Sequence, residues 1–457
     1  MEDFSRYLIL SLIAVSFIAK VILVFANQGL WWDEAVYMGL GRGIANGFYS
    51  LDQGTNIESF RPPLFPFLIF PLSESILAVR FFVVLMSVIS VLAAYYLTKE
   101  MFGKDCALWT SLFVSASQLF VFFSTKALTE PLFISLVSFS LLFFIKGGKG
   151  YKTHALLSGA LAGLALITRY LGTILLLAYA LYLVFLLWKR DDIRKALAKY
   201  ALFCLGLSLA TVPWLAMSYA YYGNPLGAYF TNMAIYASSM PSGLFDYLAG
   251  FYEFSGPMVV FYVLGLYAML KVKRKDKILL FLLFCLPIIF YVLAPHKEPR
   301  YMLSYASVYA LFSGLALTHK FKFAGKSIQY LAILACIVCL VTGISFIWND
   351  RQNGEGLVTA ANYLKGITGA KDMVMTESYP YTYYFSERRT IRFPANAEDV
   401  NKTIESNDIK YVLLYKFEPG NPAYVTSYFE SDARFSRLMS FSQWGDQEAV
   451  VIYKVIK

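Results

Sequence analysis

Apolar runs about as long as a bilayer core is thick recur along this chain, and short basic loops separate them. No soluble fold accommodates that pattern. Tyr7–Ala26 is the first run, and it leads into Trp31-Trp32-Asp33-Glu34 without a small-residue cleavage site, so it reads as a retained helix. A second helix is expected near Leu77–Thr98, then Cys106–Phe123, Pro131–Ile145, His154–Thr168, Leu171–Trp188, Ala196–Tyr222, Phe251–Leu270, Ile278–Ala294, Tyr301–Thr318 and Ile328–Trp348. The sum is about eleven spans.

The basic residues orient these runs. They cluster at Lys99/Lys104, Lys146/Lys149/Lys152, Lys189/Arg190/Arg194/Lys195/Lys199, Lys271/Lys273/Arg274/Lys275/Lys277 and Lys320/Lys322/Lys326. The positive-inside rule places every cluster in the cytoplasm, so each intervening stretch should be a hairpin. The N-terminus is then cytoplasmic and the C-terminus extracytoplasmic. One long tilted helix over His154–Trp188 would also fit the hydropathy, but it would break this parity. The net charge of +10 is thus explained by membrane orientation rather than by nucleic acid. Only 15% of residues are charged and 58% are hydrophobic, where a soluble protein has about 25% charged. The five cysteines all lie in apolar runs without metal-ligand company, so neither a disulfide nor a structural zinc is expected.

The composition changes near Asn349. Met373–Thr376, Tyr411–Tyr415 and Ala449–Val455 read as strands, and Leu357–Lys365 and Ala397–Ser406 as helices. The expected fold class is therefore mainly α: a polytopic helical bundle over residues 1–348 with a small extracytoplasmic α/β domain over 349–457.

The topology leaves few charges on the outer face. Asp33 and Glu34 follow the first span; the plain reading is an aromatic belt, an N-cap and a first-turn acid. Arg61-Pro62-Pro63-Leu64 re-enters the membrane rigidly, with Arg61 either snorkelling or held for a phosphate. Glu130-Pro131 resembles a helix start. Arg169 sits in a short turn between apolar helices, and His296-Lys297-Glu298-Pro299-Arg300-Tyr301 crowds ionisable groups into a turn at a helix mouth. Ionisable groups at membrane depth are expensive, which makes functional use the default expectation.

At these residues the chain resembles the GT-C superfamily of membrane glycosyltransferases. Asp33-Glu34 after the first span is similar to the acidic pair of protein O-mannosyltransferases and the lipid A aminoarabinose transferase. Arg61-Pro62-Pro63-Leu64 followed by Ala78-Val79-Arg80 matches prokaryotic members of that branch, and Thr129-Glu130-Pro131 supplies the second-loop acid. His296–Tyr301 resembles the His-Lys-Glu-x-Arg-aromatic motif of dolichol-phosphate-mannose-dependent enzymes.

The resemblance implies an inverting transfer of mannose or another hexose from a polyprenyl-phosphate carrier to a hydroxyl on a lipid, glycan or protein acceptor, at the extracytoplasmic face. Asp33 would be the general base, supported by the acids Glu34 and Glu130. Arg61, Arg169, His296, Lys297, Arg300 and Tyr301 would hold the donor phosphate. Asp33 and Glu130 are also candidate ligands of a divalent cation, without a strong metal motif. The rival reading is a transporter or lipid flippase, which calls for ionisable residues near the midplane and broken helices repeated in both halves.

Overall fold

The computed structural model describes residues 3–51, 58, 60–147, 152–190, 192–237, 244–294, 298–319 and 327–456. Each apolar run expected to span is helical. Among the described residues six helices are long and apolar enough to cross a membrane: Arg6–Ala26, Ile76–Phe102, Glu130–Gly147, Ile193–Tyr222, Phe245–Leu270 and Ser327–Asp350. Thr153–Leu166, Gly172–Trp188, Lys277–Leu293 and Ala306–Thr318 are shorter apolar helices. The His154–Trp188 stretch is two helices, interrupted around Arg169, rather than one. Helices satisfy their own backbone groups, which is the condition for crossing hydrocarbon.

The chain forms two compact units. The first comprises Met1–Val24, Ser59–Phe65 and Arg80–Phe346; the second comprises Phe25–Glu58, Pro66–Val79 and Ile347–Lys457.

In the first unit, small residues bring two helices backbone to backbone. A Cβ on Gly159 would lie 1.8 Å from the Phe203 carbonyl oxygen, and one on Gly206 would lie 2.0 Å from that of Leu156. Lys152–Leu166 and Ile193–Tyr222 therefore pack as closely as helices can, the usual means of association where lipid supplies no hydrophobic drive. The run expected as Cys106–Phe123 is broken at Ser117, whose φ of −56° and ψ of 127° separate Lys104–Ala116 from Gln118–Phe123. The break changes the bonding around the Ser115 carbonyl. Lys20, fully buried between the rings of Phe17 and Phe120, donates to that oxygen at 3.2 Å, and Ser16 Oγ donates to it at 2.6 Å. A cation at a helix C-terminus also meets the negative end of the helix dipole.

The second unit is an α/β domain with additions from the N-terminal half. Its strands are β1 (Met373–Met375), β2 (Arg389–Ile391), β3 (Ile409–Tyr415), β4 (Phe435–Gln443) and β5 (Asp446–Val455), in the order β2-β1-β3-β5-β4. β1 runs parallel to β2 and β3, while β5 runs antiparallel to β3 and β4. Trp444 and Gly445 take φ of 50° and 85°, the left-handed pair that a tight hairpin between β4 and β5 requires. Sequence reading missed β2 and β4. β4 is buried only at its ends, Phe435 and Gln443, and is exposed or half-buried between them, so it lacks the apolar run that marks β3 and β5. Glu355–Ile367 and Asp399–Ser406 are helices close to their expected positions.

Helix Trp32–Ala45 belongs to this second unit. Leu30 and Ala35 join Leu357, Leu364, Tyr381, Leu413 and Ile452 in one buried cluster.

Candidate functional site

Thr129 and Glu130 are buried at the start of helix Glu130–Gly147. Arg169, in the turn between Lys152–Leu166 and Gly172–Trp188, donates through Nη1 to Glu130 Oε1 and to Thr129 Oγ1, the latter at 2.9 Å. Arg300 Nη1 approaches the same Glu130 oxygen at 3.8 Å, and its Nε donates to Glu298. Glu130 Oε2 is buried and has no hydrogen-bond partner among the described residues. One carboxylate therefore anchors two guanidinium groups and keeps one oxygen uncommitted.

Neighbouring elements fix this arrangement. Tyr305 OH donates to the Leu171 carbonyl at 2.9 Å, and its ring meets Phe133 edge-on at 6.0 Å. Those contacts join the helix after Arg300, the Arg169 turn and the Glu130 helix. The Arg61 segment is tied to the same turn, because Leu64 N–H donates to the Ile167 carbonyl at 2.9 Å. The rigid Arg61-Pro62-Pro63 run thus ends beside the Arg169 turn. Arg61 is half-buried, with its guanidinium 4.1 Å from the centre of the Phe60 ring. Tyr301 is buried, and its ring lies 5.7 Å from that of Phe290. His296 and Lys297 lie outside the described residues. Arg61, Arg169 and Arg300 against Glu130 and Glu298 leave a surplus of positive charge, which suits a phosphate. Planar guanidinium groups match phosphate oxygens in pairs.

Asp33 and Glu34 lie in the second unit. Both occupy the first turn of helix Trp32–Ala45, where the helix dipole favours acids. Glu34 is fully buried, and its Oε2 accepts the Trp31 backbone N–H at 3.0 Å. Asp33, one position earlier, is half-buried. The two acids therefore differ: Glu34 caps, and Asp33 is the more accessible.

The two tryptophans, both half-buried, bond within the second unit. Trp31 Nε1 donates to Asp350 Oδ1 at 2.8 Å, and Trp32 meets the Tyr379 ring edge-on at 5.4 Å. Tyr381 OH donates to the Leu30 carbonyl at 2.9 Å. Burial pushes the Tyr381 phenol well above its usual range, and the Glu34 carboxylate adds to that. A Cβ on Gly29 would lie 1.8 Å from the Asp350 carbonyl oxygen, so only glycine allows this approach. At the far end of the helix, Arg42 grips Glu74 through Nε and Nη2, at 3.0 and 2.9 Å, and lies 4.4 Å from the Tyr384 ring centre.

Sequence reasoning did not find Thr129 as a partner of Arg169 or Asp350 as a partner of Trp31. Neither has a local signal, since both partners are distant in the chain. No group of three or more His, Cys, Asp or Glu side chains comes together as a metal site among the described residues.

Comparison with known proteins was consistent with this architecture. Residues 61–217, about a third of the chain, match the family described as dolichyl-phosphate-mannose-protein mannosyltransferase. The structure of ArnT from Cupriavidus metallidurans bound to undecaprenyl phosphate superposes with a TM-score of 0.76 at 13% identity, covering 97% of each chain. The archaeal oligosaccharyltransferase AglB from Archaeoglobus fulgidus, in complex with an inhibitory peptide and a dolichol-phosphate, gives 0.65 at 14% identity over 90% of this chain and 70% of that one. The arabinofuranosyltransferase AftD from Mycobacteria gives 0.56 at 14% identity, over 97% of this chain and 40% of that one. No curated protein matches by sequence. The fold is the GT-C fold that the motifs led us to expect.

Proposed function

We infer that this GT-C-fold chain is a membrane glycosyltransferase that moves a sugar, mannose or another hexose, from a polyprenyl-phosphate carrier to a hydroxyl on a lipid, glycan or protein acceptor. The observation that carries this reading is the Glu130 carboxylate, buried and engaged by Arg169 and Arg300, on a fold whose solved examples hold undecaprenyl phosphate or a dolichol-phosphate.

The reaction forms a bond from the acceptor oxygen to the anomeric carbon and breaks the bond from that carbon to the phosphate oxygen, in line and with inversion. Asp33 takes the acceptor proton as the oxygen attacks. Arg61, Arg169 and Arg300, with His296, Lys297 and Tyr301, bind the phosphate and stabilise the charge that builds on it as it leaves. Phosphate is already a good leaving group, so no general acid is needed. Glu130 holds Arg169 and Arg300 in place before the carrier arrives. Its uncommitted Oε2 makes Glu130 a candidate ligand of a divalent cation. Glu34 fixes the helix turn that carries Asp33. The face is extracytoplasmic by the distribution of basic loops.

The test is release of polyprenyl phosphate from a labelled donor by purified protein. Release that depends on an acceptor hydroxyl and is lost in Arg169→Ala supports transfer. Movement of intact donor across vesicles without release would establish the flippase reading instead.

A further inference from the structure

The first unit contains a second cationic site far from Glu130. A cavity of about 350 Å³ is lined by Lys199, Arg274, Lys275 and Asp276, with Phe144 and Tyr182 among its walls. Its size falls within the range of small-ligand sites, ~300–1,000 Å³. Phe144 lies on the same helix as Glu130 but fourteen residues further along. At about 1.5 Å per residue that is roughly 21 Å, near the other end of the span.

The charges in this cavity are organised. Arg274 clamps Asp276 through Nε and Nη2, at 3.0 and 2.7 Å, and donates to the Met101 carbonyl at 3.2 Å. Asp276 is thereby engaged within the wall. The Lys199 ammonium lies 3.4 Å from the centre of the Phe144 ring. Lys199, Arg274 and Lys275 outweigh Asp276, so an empty cavity carries excess positive charge beside an apolar wall. Lys199 and Arg274 each belong to a basic cluster of the sequence, Lys189/Arg190/Arg194/Lys195/Lys199 and Lys271/Lys273/Arg274/Lys275/Lys277. A ligand with an anionic head and an apolar tail satisfies both surfaces.

We propose that this cavity binds a phosphate group, presented by the headgroup of an anionic lipid or as free phosphate, at the end of the bundle opposite the Glu130 site. Lys199 and Lys275 contact the phosphate, the Arg274–Asp276 clamp braces the wall, and Phe144 and Tyr182 accommodate the first part of an acyl chain. Basic pockets between membrane helices on the cytoplasmic side have this chemistry. The site is separate from the transfer reaction and does not rest on the function proposed above.

The experiment uses the full-length protein in phosphatidylcholine nanodiscs with and without phosphatidic acid, and in detergent with and without inorganic phosphate. Retained lipid is read by native mass spectrometry, and phosphate binding by the melting temperature. Phosphatidic acid should be retained over phosphatidylcholine. Lys199→Gln should weaken retention roughly fivefold, the effect of about one lysine at a charged surface, and Lys199→Gln with Lys275→Gln should weaken it further. Arg194→Gln, on the same helix but outside the cavity wall, should leave retention unchanged. Stabilisation by inorganic phosphate that Lys199→Gln abolishes would identify free phosphate as the source. Equal loss in Arg194→Gln and Lys199→Gln would overturn the proposal, as would indifference to both phosphatidic acid and phosphate.

Discussion

Arg169 donates to the buried Glu130 carboxylate although the two residues stand 39 positions apart, one in a turn and one at a helix start. The same carboxylate oxygen lies 3.8 Å from Arg300. Glu130 is a fixed point for two cations that come from different parts of the chain.

Removing one member of this pair should therefore be worse than removing both. Breaking a buried ion pair leaves an uncompensated charge and costs about 3–5 kcal/mol. Arg169→Met should destabilise the purified protein by that order, and Arg169→Met with Glu130→Gln should recover part of the loss. A double-mutant cycle on thermal unfolding in detergent checks this. Additive losses would mean that the two residues do not interact.

Asp33 and Glu34 should separate in function. Glu34→Gln keeps an oxygen for the Trp31 N–H and should cost no more than about 1 kcal/mol, with most transfer activity retained. Asp33→Asn should cost only about 0.3–1 kcal/mol of stability, the loss of one acid at a helix start, and reduce kcat by roughly 10²–10⁴-fold, the range for loss of a general base. Wild-type kcat in Asp33→Asn would remove it from that role.

Gly29→Ala should disrupt the second unit. The added Cβ would meet the Asp350 carbonyl oxygen at 1.8 Å, and neither backbone can yield without disturbing the Trp31–Asp350 bond. A loss of at least about 1–3 kcal/mol is expected from such overpacking. Earlier proteolysis within residues 347–457 and a shift in tryptophan emission would report it.

Glu418 sets a pH dependence. Burial raises its carboxyl above the ordinary carboxylate range, while the Ser378 hydroxyl, which donates to it at 2.8 Å, partly opposes the rise. A carboxyl raised on folding contributes stability below its unfolded value, and that contribution is lost as pH rises through the folded value. At neutral pH the ionised form is therefore a liability. Glu418→Gln, which still accepts from Ser378, should raise the melting temperature at pH 7. The advantage should vanish below about pH 4, where the unfolded-state carboxyl is protonated too. An equal advantage at both pH values would show that packing rather than charge is responsible.

The helical runs were legible in the sequence because hydropathy is local. Twenty apolar residues leave a chain in lipid no structure but a helix, wherever its neighbours lie. The candidate phosphate-binding arginines were legible for a related reason: charge is rare in such a chain, so Arg61, Arg169 and Arg300 stand out from their surroundings. Strand β4 was not legible, because its mostly exposed middle carries no strong apolar signal.

Only the tertiary structure decided which of these residues meet. That Glu130 holds Arg169, that Trp31 is tied to Asp350 and that helix Trp32–Ala45 packs on the Tyr379–Ser386 segment are pairings across long stretches of chain. No local propensity encodes them, because they arise when packing closes loops and brings complementary groups together out of water. The sequence by itself determined a polytopic helical protein with scarce, conspicuous charges; the fold decided that Glu34 caps a helix while Asp33 stays accessible. It also decided that the half-buried Trp-Trp pair before them bonds to Asp350 and packs on Tyr379. One residue's step around a helix turn separates those fates, and only the surface that covers the helix can tell them apart.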